Sequence, residues 1–382
     1  MIRSTGNYLA TTTLSEAVQA FIPHALPPAA PPLSTDSFNA QNRAAELALA
    51  RLSGVSGLVP SVDWLLYSAI RKEALLTSQI EGTQATLTDL FDDEAGLVVN
   101  NIDDLEEVTN YLRAYRLVRD NLRAPNGLPI SIRLMCDAHR LLLKGVRGTG
   151  KQPGELRRSQ NWIGGTRPGN AVFVPPPANR VADLLSDLER FIHANSPALP
   201  LLVNIALVHA QFETIHPFLD GNGRIGRLLI AALLENWGLL PEPLLYLSGY
   251  FRKYQSEYYR LLSGIRTQGN WEAWISFFLE GITAAADEAE RGIVEIATLV
   301  AGHRRCLLES PKAGPAAYRL FELLPMMPRF TVQRVSQKLA TTFPTANAAV
   351  RTLAELGIVA EMTGQKKNRS FGYQSYIALL TK

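Results

Sequence analysis

Twelve consecutive residues, 216–227, contain the side chains and backbone groups of a phosphate-handling site. They read HPFLDGNGRIGR, so a histidine, an aspartate, two arginines and a Gly-Asn-Gly turn lie within one short segment. The apolar run that follows, residues 228–234, predicts a buried helix. A glycine-flanked turn that opens a helix presents unpaired N–H groups and the positive end of the helix dipole to an anion. The segment therefore predicts nucleotide chemistry at a helix N-terminus.

Each charged or titratable side chain of the segment suits one part of that chemistry. His216 has a side chain whose ordinary pKa suits proton abstraction near neutral pH. Asp220 can hold Mg²⁺, which prefers one or two carboxylates together with phosphate oxygens. Arg224 and Arg227 lie three residues apart and project near the turn, where each guanidinium can donate two hydrogen bonds to a phosphate.

Other interpretations of this region are weaker on the residues alone. Residues 221–226 match G-x-G-x-x-G, but a dinucleotide fingerprint follows a strand, and residues 201–215 look helical. His209, Glu213 and His216 share one helical face that could hold a metal, although they do not form H-E-x-x-H. The segment could also be a simple surface turn with two arginines, but such a turn would not require the histidine, the aspartate and the Gly-Asn-Gly sequence as well.

The segment matches the Fic family motif, H-x-F-x-[D/E]-G-N-G-R-x-x-R, at every defined position. The surrounding chain, about residues 20–285, is also similar to Fic proteins. The resemblance implies an all-α fold, a helical bundle with one β-hairpin flap. It also implies a protein adenylyltransferase, which transfers AMP from ATP to a Tyr, Ser or Thr hydroxyl of a protein.

The resemblance also assigns the residues of the site. His216 is the expected catalytic base, and Asp220 is the expected ligand of Mg²⁺, with Mn²⁺ as the alternative metal. One tyrosine of a helix near residue 258 is expected against the adenine. The residues expected to contact the ATP co-substrate are Glu81, His216, Gly221, Asn222, Gly223, Arg224, Ile225, Gly226, Arg227 and either Tyr258 or Tyr259.

A second motif lies at the end of an earlier predicted helix, residues 61–80. Glu81 follows that helix at the negative end of its dipole, a place where a carboxylate is expected mainly opposite a cation. Thr77, Glu81 and Gly82 match the inhibitory motif [S/T]-x-x-x-E-[G/N] of part of the Fic family. The resemblance implies that Glu81 pairs with Arg227 and that inhibition is built into this chain.

Residues 161–176 predict a short β-hairpin with a glycine-rich tip. Because a lone hairpin in a helical domain has an unpaired edge, it can accept an added strand. The resemblance implies that this hairpin is the flap on which a protein target docks through its backbone. A hairpin that is closed onto the core is the other interpretation.

The C-terminal region differs from the rest of the chain in charge. Residues 311–382 contain 10 Lys and Arg and 3 Asp and Glu, whereas the whole chain has a net charge of only +3. Three short predicted helices precede two strands, 357–362 and 369–380, in an order that resembles a winged helix. Lys366, Lys367 and Arg369 would contact DNA phosphates, and Asn347 and Arg351 would read bases. DNA binding, protein binding and a dimer contact all stay open for this region.

We therefore predict four parts of the chain. Residues 1–100 form an N-terminal helical segment with the inhibitory helix, of which residues 1–32 are an irregular lead. Residues 101–285 form the catalytic core, 286–310 a connecting helix, and 311–382 a winged-helix-like domain. No apolar run is long enough to span a membrane, and residues 1–13 lack the apolar core of a signal peptide. Two distant cysteines, Cys136 and Cys306, favour a cytoplasmic protein with reduced thiols.

Alternative functions follow from the same residues. The site could hydrolyse AMP from a modified protein, or the chain could be a DNA-binding regulator with a nucleotide-sensing Fic domain. A donor other than ATP is also compatible with the motif, because the motif contacts the phosphates and not the base. Self-modification and a homodimer are further expectations that the sequence leaves open.

Overall fold

The computed structural model describes residues 3–145, 149–194, 199–365 and 369–382. The fold is mostly helical, as predicted, with two small sheets. The helices are α1 (Asn39–Val55), α2 (Val62–Ile80), α3 (Leu87–Glu94), α4 (Ile102–Arg123), α5 (Ile132–Leu142), α6 (Val181–His193), α7 (Leu201–Ile215), α8 (Asn222–Asn236), α9 (Ser248–Lys253), α10 (Gln255–Gln268), α11 (Trp271–Glu309), α12 (Pro315–Leu323), α13 (Val332–Leu339), α14 (Phe343–Glu355) and α15 (Gln374–Leu380). The strands are β1 (Gly6–Thr13), β2 (Glu16–Pro23), β3 (Arg329–Thr331), β4 (Ala360–Glu361) and β5 (Ser370–Gly372).

Helix α7 lies at the centre of the bundle. Most of its residues are apolar and nearly all are buried, because it packs against α6, α8 and α11. Helix α8 follows after a short loop and buries most of its own residues. The loop of residues 216–221 is therefore held between the ends of two buried helices.

Helix α2 is fixed at its first turn and in its middle. The Ser61 hydroxyl accepts a hydrogen bond from the Asp63 N–H and caps the first turn. In the middle of the helix, the buried carboxylate of Glu73 accepts hydrogen bonds from the Ser248 hydroxyl at 2.5 Å and the Ser248 N–H at 3.1 Å. The helix ends at Ile80, and its last turn contacts α8, where Thr77 accepts a hydrogen bond from Arg227.

The N-terminal lead is not irregular, which corrects the prediction for residues 1–32. Strands β1 and β2 form an antiparallel hairpin in which Gly6 pairs with Pro23 and Thr13 with Glu16. The turn between them uses Leu14 and Ser15, both with positive φ. Tight hairpin turns are usually signalled by Asn-Gly or Asp-Gly, so this turn carries no sequence signal.

The connecting helix predicted for residues 286–310 is not a separate element. Helix α11 runs without a break from Trp271 to Glu309 and packs along α1. It contains no proline, and its buried residues keep a helical spacing through both halves, as Trp274, Phe278, Ile282, Ala286, Ala289, Ile293 and Ile296 illustrate.

In the C-terminal region, α12, β3, α13, α14, β4 and β5 follow one another, and the three strands form a sheet in the order β3–β5–β4. The strand predicted for residues 369–380 is wrong beyond Gly372, because α15 begins at Gln374. Its buried residues, Tyr376, Ile377 and Leu380, have helical rather than alternating spacing. Arg329 joins this region to α3 through an ion pair with Asp92 at 2.6 Å. Lys366 and Lys367 lie outside the described residues.

Two further expectations can be compared with the fold. Cys136 and Cys306 are both free thiols. Among the helices that the structure describes, none combines the length and the apolar character needed to cross a membrane.

Candidate active site

The loop between α7 and α8 has a left-handed residue at each end. His216 ends α7 with φ 50°, and Gly221 opens α8 with φ 75°. The first hydrogen bond within α8 is donated by Ile225 N–H to Gly221 O at 3.0 Å. The N–H groups of residues 222–224 therefore precede the hydrogen-bonded ladder and are available to an anion. The Ile225 side chain is buried, so this residue can contribute only its backbone.

The side chain of Asn222 closes the loop. Its Oδ1 accepts a hydrogen bond from Phe218 N–H, and its Nδ2 donates to Phe218 O, both at 2.8 Å. The side-chain amide is buried, and its oxygen and nitrogen are both hydrogen-bonded to the backbone of Phe218. A phosphate contact from this residue, as predicted, would have to come from its backbone N–H.

His139, which the sequence did not single out, holds the same loop from α5. Its ring stacks on Phe218 with centroids 3.8 Å apart. Its Nδ1 accepts a hydrogen bond from Gly154 N–H at 2.8 Å, so the proton is on Nε2, which donates to Asp220 O at 3.0 Å. Burial lowers the pKa of His139 to about 4, so the ring is neutral. Nothing in the local sequence indicates this contact between distant segments.

Arg157 is a second residue that the sequence did not assign to the site. Its guanidinium donates hydrogen bonds to His216 O at 2.8 Å, Pro176 O at 2.5 Å and Ser159 O at 3.2 Å. Its own N–H donates to Pro217 O at 2.9 Å. A buried arginine thus ties the motif loop to both sides of the 161–176 hairpin.

The side chain of His216 is largely removed from solvent but lies near charged groups. Burial, together with the nearby positive charge of Arg157, lowers the pKa of His216 to about 4. The ring is therefore neutral at physiological pH, which is the form that can accept a proton. Its Nδ1 has no hydrogen-bond partner in the part of the chain that the structure describes.

Asp220 and Arg224 lie beside the helix start. The Asp220 carboxylate accepts a hydrogen bond from Gly221 N–H at 2.6 Å and is 45% exposed. Arg224 Nη2 is 3.7 Å from it, and Arg224 Nη1 is 3.2 Å from Glu107 Oε2. An exposed carboxylate of this kind fits Mg²⁺, which needs few protein ligands when phosphate oxygens supply the others. No cluster of three metal-binding side chains occurs within the described ranges.

The buried Arg227 forms an ion pair with Glu81, whose side chain is 33% exposed. Arg227 Nη2 is 2.5 Å from Glu81 Oε1, and the arginine side chain is 2% exposed. Arg227 also donates from Nε to Thr77 Oγ1 at 2.6 Å and from Nη2 to Thr77 O at 3.1 Å. Burial would raise the pKa of Glu81, but the charge of Arg227 outweighs it and the pKa is lowered. Gly82, with φ 103°, then turns the chain away from the site.

The Glu81 carboxylate lies over the first turn of α8. A Cβ built on Gly223 would collide with Glu81 Oε1 and lie 2.9 Å from Arg227 Nη1. Residue 223 must therefore be glycine for the ion pair to approach the helix N-terminus. The carboxylate occupies the position where the free N–H groups and the helix dipole favour an anion.

The two candidate tyrosines differ in accessibility. Tyr258 is 1% exposed, and its hydroxyl is 2.9 Å from His209 Nε2, so it is a core residue and cannot stack on a ligand. Tyr259 is 47% exposed and is the candidate that the structure leaves. His209 Nδ1 lies 3.1 Å from Gly226 O. Both ring nitrogens of His209 are thus engaged, which argues against the alternative metal site on this helix.

Residues 161–176 form a hairpin with little strand character. Ile163 N–H donates to Phe173 O at 2.8 Å, and Val172 N–H donates to Ile163 O at 2.9 Å. Strand β2 lies along the other side of the second arm, since Phe21 N–H donates to Val174 O at 2.9 Å. Strand addition to this hairpin would therefore use the edge of residues 162–164.

Two family models match the chain. One is described as the Fic/DOC family N-terminal region and matches residues 39–119, and the other is described as the Fic/DOC family and matches residues 129–234. The second match contains the loop, the helix start and both motif arginines.

Curated relatives and solved structures agree with these matches. The chain is 28% identical over 208 residues to a protein adenylyltransferase Fic of Drosophila ananassae, which covers 53% of this chain and 38% of that protein. It is 31% identical over 166 residues to the protein of the same name in Drosophila yakuba, and the match covers 42% of this chain and 31% of that protein. The chain therefore spans less than two fifths of the length of these relatives.

Two solved structures share the fold. A Fic family protein from Desulfovibrio desulfuricans G20 has a TM-score of 0.57 at 22% identity, covering 90% of this chain and 97% of that one. A Fic domain containing signaling protein from Bacteroides thetaiotaomicron VPI-5482 has a TM-score of 0.53 at 19% identity, covering 66% and 97%. The Fic fold is thus confirmed.

We expect Arg157→Lys to destabilise the protein by about 2–4 kcal/mol, because a lysine cannot reach all the buried carbonyl groups that the guanidinium serves. The matched control is Arg158→Lys, since the Arg158 side chain is 78% exposed and pairs with Glu155 at the surface. Urea unfolding of both variants measures the difference. Equal stability of the two variants would show that Arg157 does not hold the loop.

We also expect the buried histidines to lower the stability of the folded protein between pH 7 and pH 5, an effect that Glu213 partly offsets because burial raises its pKa to about 7. Burial lowers the pKa of His139 and His216 to about 4 and that of His209 to about 3. An unfolded histidine titrates near 6.5, so the unfolded chain binds more protons in this range and unfolding is favoured as the pH falls. Each histidine contributes on the order of 1–2 kcal/mol at pH 5.

The variant His139→Gln isolates one of these groups, because glutamine is polar but does not titrate. The free energy of unfolding should change less between pH 7 and pH 5 in this variant than in the wild type. An unchanged difference would mean that His139 is not held neutral in the native protein.

Proposed function

Residues 39–119 and 129–234 of this chain belong to the Fic/DOC family, and from this we propose that the chain is a protein adenylyltransferase. It transfers AMP from ATP to a Tyr, Ser or Thr hydroxyl of a protein. The relatives that carry the name protein adenylyltransferase Fic support this class of reaction. Because the chain covers only part of their length, its substrate and target are inferred from the site.

The observation that carries the proposal is the Glu81 carboxylate on the first turn of α8. An anion from the protein itself lies against Gly223 and pairs with Arg227. The same donors, the N–H groups of residues 222–224 and the Arg227 guanidinium, suit the oxygens of a triphosphate. The internal carboxylate thus acts as a substitute for a phosphate group.

The reaction is an in-line displacement at the α-phosphorus. The oxygen of the target hydroxyl forms a bond to that phosphorus, and the bond to the oxygen that bridges to the β-phosphate breaks. Pyrophosphate leaves with the electron pair, and neutral His216 accepts the hydroxyl proton. Because the pKa of a hydroxyl lies far above that of His216, alignment and charge stabilisation must supply most of the rate.

The charges around the helix start serve the phosphates. The N–H groups of residues 222–224 hold the α- and β-phosphates, and Arg227 holds the γ-phosphate when Glu81 leaves it. Arg224 supports the same side from its buried position beside Glu107. Asp220 would hold Mg²⁺, or Mn²⁺, which would neutralise charge on the leaving pyrophosphate.

Inhibition follows from competition for Arg227. While Glu81 pairs with this arginine, the γ-phosphate is displaced and the α-phosphate is not aligned with the attacking hydroxyl. The hydroxyl and carbonyl groups of Thr77 keep the arginine in place during this exchange. The target would dock its extended segment along residues 162–164, next to Asn161, which donates a hydrogen bond to Phe218 O of the motif loop at 3.4 Å, and self-modification would use the same edge.

We predict that Glu81→Gly increases self-labelling with α-labelled ATP by at least about tenfold, because the Glu81 carboxylate no longer competes with the γ-phosphate for Arg227. The measurement is incorporation of label from α-labelled and γ-labelled ATP in the presence of Mg²⁺, with intact-mass analysis. Label should come from the α position only. The variant Glu81→Gln separates charge from shape and should be activated to a smaller extent.

The control for the chemistry is His216→Ala in the Glu81→Gly background, which should abolish labelling but leave nucleotide binding measurable. Equal labelling of wild type and Glu81→Gly would contradict the inhibition. Release of AMP from a modified protein, without transfer, would instead favour the hydrolytic alternative.

A second function, DNA binding by the winged-helix-like region, is favoured by unpaired positive charge. Arg334, Lys338 and Arg369 form no ion pair within the part of the chain that the structure describes. Arg334 and Arg369 line a groove of about 770 Å³ together with Gln333, Gln337 and Asn347. By contrast, Arg351, which was predicted to read bases, lies 3.8 Å from Glu355. The groove suits a phosphate backbone better than base recognition.

The double variant Arg334→Glu/Arg369→Glu tests this function, and Lys312→Glu/Lys382→Glu is its control. The control lysines belong to the same region, but pair with Glu355 and Glu295. Anisotropy of a labelled duplex should show a loss of affinity of about tenfold or more in the first variant only, with a weaker dependence on salt. Equal affinity of the two variants would exclude the groove as a DNA site.

A further inference from the structure

A groove lies between the β1–β2 hairpin, the second arm of the flap hairpin (residues 161–176) and α10. Its volume is about 340 Å³, which falls in the range of about 300–1,000 Å³ that small-molecule sites occupy. The described residues that line it include neither Glu81 nor any part of the motif loop, so it is a different site from the one that suits a triphosphate. All three elements contribute to the lining, which includes Tyr8, Ala10, Gln19, Phe173, Ser263 and Arg266.

Arg266 brings a positive charge into this groove. Its guanidinium lies over the ring of Phe173, 3.9 Å from the ring centroid. Among the described residues, its side chain forms no ion pair or hydrogen bond, and the charge of Glu213 acts on it from beyond ion-pair distance. Burial lowers the pKa of Arg266 to about 10, which leaves it charged at neutral pH. Its planar set of N–H donors is therefore available to an oxyanion.

The neighbouring carboxylates have cations of their own. Glu16, the acidic residue of the β1–β2 hairpin, pairs with Arg167 of the flap tip at 2.6 Å. On α10, Glu257 pairs with Arg260 at 2.6 Å. The protein thus leaves the charge of Arg266 for an anion from outside, and a buried charge is favourable only when such a partner is present.

The strands present a flat and uncharged surface to the same groove. The ring of Tyr8 meets the ring of Phe21 edge-on with centroids 5.2 Å apart, and Phe21 lies 6.5 Å from Phe173. Ala10 and Gln19 are paired across β1 and β2, and strand alternation places them on the same side of the hairpin as Tyr8. A ligand in the groove would therefore meet one positive charge beside an extended, largely apolar wall.

We propose that this groove binds a small carboxylate with a flat apolar body, and that the carboxylate pairs with Arg266. The apolar body packs against the ring of Phe173 and the side chains of β1 and β2. Because α10 forms one wall and the flap forms another, a bound ligand fastens the flap to α10. This site goes beyond the proposed transfer of AMP, which does not use Arg266.

A carboxylate suits the groove better than a phosphate does. A carboxylate carries a single charge and accepts two parallel hydrogen bonds from one guanidinium. A phosphate carries more charge and more acceptor oxygens than the one cation of this lining can serve. The apolar wall also favours a ligand whose remaining atoms gain by leaving water.

The test is fluorine NMR of para-fluorobenzoate and para-fluorobenzamide with the wild-type protein in the absence of nucleotide. The two probes have nearly the same shape, but only the benzoate is charged. Broadening of the fluorine signal during a titration gives the dissociation constant of each probe. The benzoate should bind at least about tenfold more tightly than the benzamide, because only the benzoate forms charge-assisted hydrogen bonds with Arg266.

Two pairs of variants assign the site. Arg266→Met keeps an apolar side chain over Phe173 but removes the charge, so the two probes should bind equally, whereas Arg260→Met, at a position 64% exposed on α10, should leave the tenfold difference. Ala10→Phe fills the groove and should block both probes. Leu9→Phe points to the opposite side of β1 and should block neither. Melting temperatures measured without ligand establish that each variant is folded.

Amide hydrogen exchange tests the link to the flap. The N–H groups of Val172 and Phe173 both donate to Ile163 O, so their exchange reports opening of the flap. At a benzoate concentration of about twice the dissociation constant, their exchange should slow by about threefold, since a ligand of the closed form stabilises it by the factor 1 + [L]/Kd.

Equal binding of the two probes by the wild type would overturn the proposal, as would a benzoate affinity that Arg266→Met leaves unchanged. Displacement of the benzoate by an equal concentration of inorganic phosphate would overturn the preference for a carboxylate. Binding without slower exchange at Val172 and Phe173 would overturn the link to the flap. None of these measurements uses a nucleotide, so each outcome is independent of the proposed transfer of AMP.

Discussion

The ion pair between Glu81 and Arg227 is the interaction on which the rest of the site depends. Arg227 is buried between α2 and α8, where an unpaired cation would be strongly unfavourable. Thr77 accepts two hydrogen bonds from the guanidinium, but the positive charge still needs an anion beside it. The chain supplies that anion from the end of α2, at the same helix N-terminus that suits a triphosphate. In the proposed function, this one buried charge would provide both the affinity for phosphate and the means of blocking it.

The remaining contacts keep the motif loop in one conformation. Asn222 closes it from within, His139 fixes it from α5, and Arg157 ties it to the hairpin. Because these side chains are buried and their partners are backbone groups, the loop is ordered before a nucleotide arrives. In the proposed reaction, this pre-ordering would lower the entropy that binding must offset and would keep His216 close to the reacting atoms. Burial of the loop also keeps His139 and His216 neutral, because it lowers the pKa of both to about 4.

The sequence predicted what depends on local order and failed where distant segments meet. The helix start at Gly221 and the carboxylate at the end of α2 follow from turn residues and the helix dipole, and both were predicted. His139 and Arg157 reach the loop from remote parts of the chain, so no spacing pattern reveals them. The β1–β2 hairpin was missed because Leu14 and Ser15 give no turn signal. Tyr258 and Tyr259 are equivalent in sequence, and only packing decides which is buried.

Affinity for a series of nucleotides tests the central claim most directly. The dissociation constants of ATP, ADP and AMP would be measured by calorimetry for the wild type and Glu81→Gln, both with His216→Ala to prevent turnover. If Glu81 occupies the place of a phosphate beside Arg227, the substitution should strengthen binding of ATP most and of AMP least. An equal change for all three nucleotides, or no change for any of them, would contradict the account.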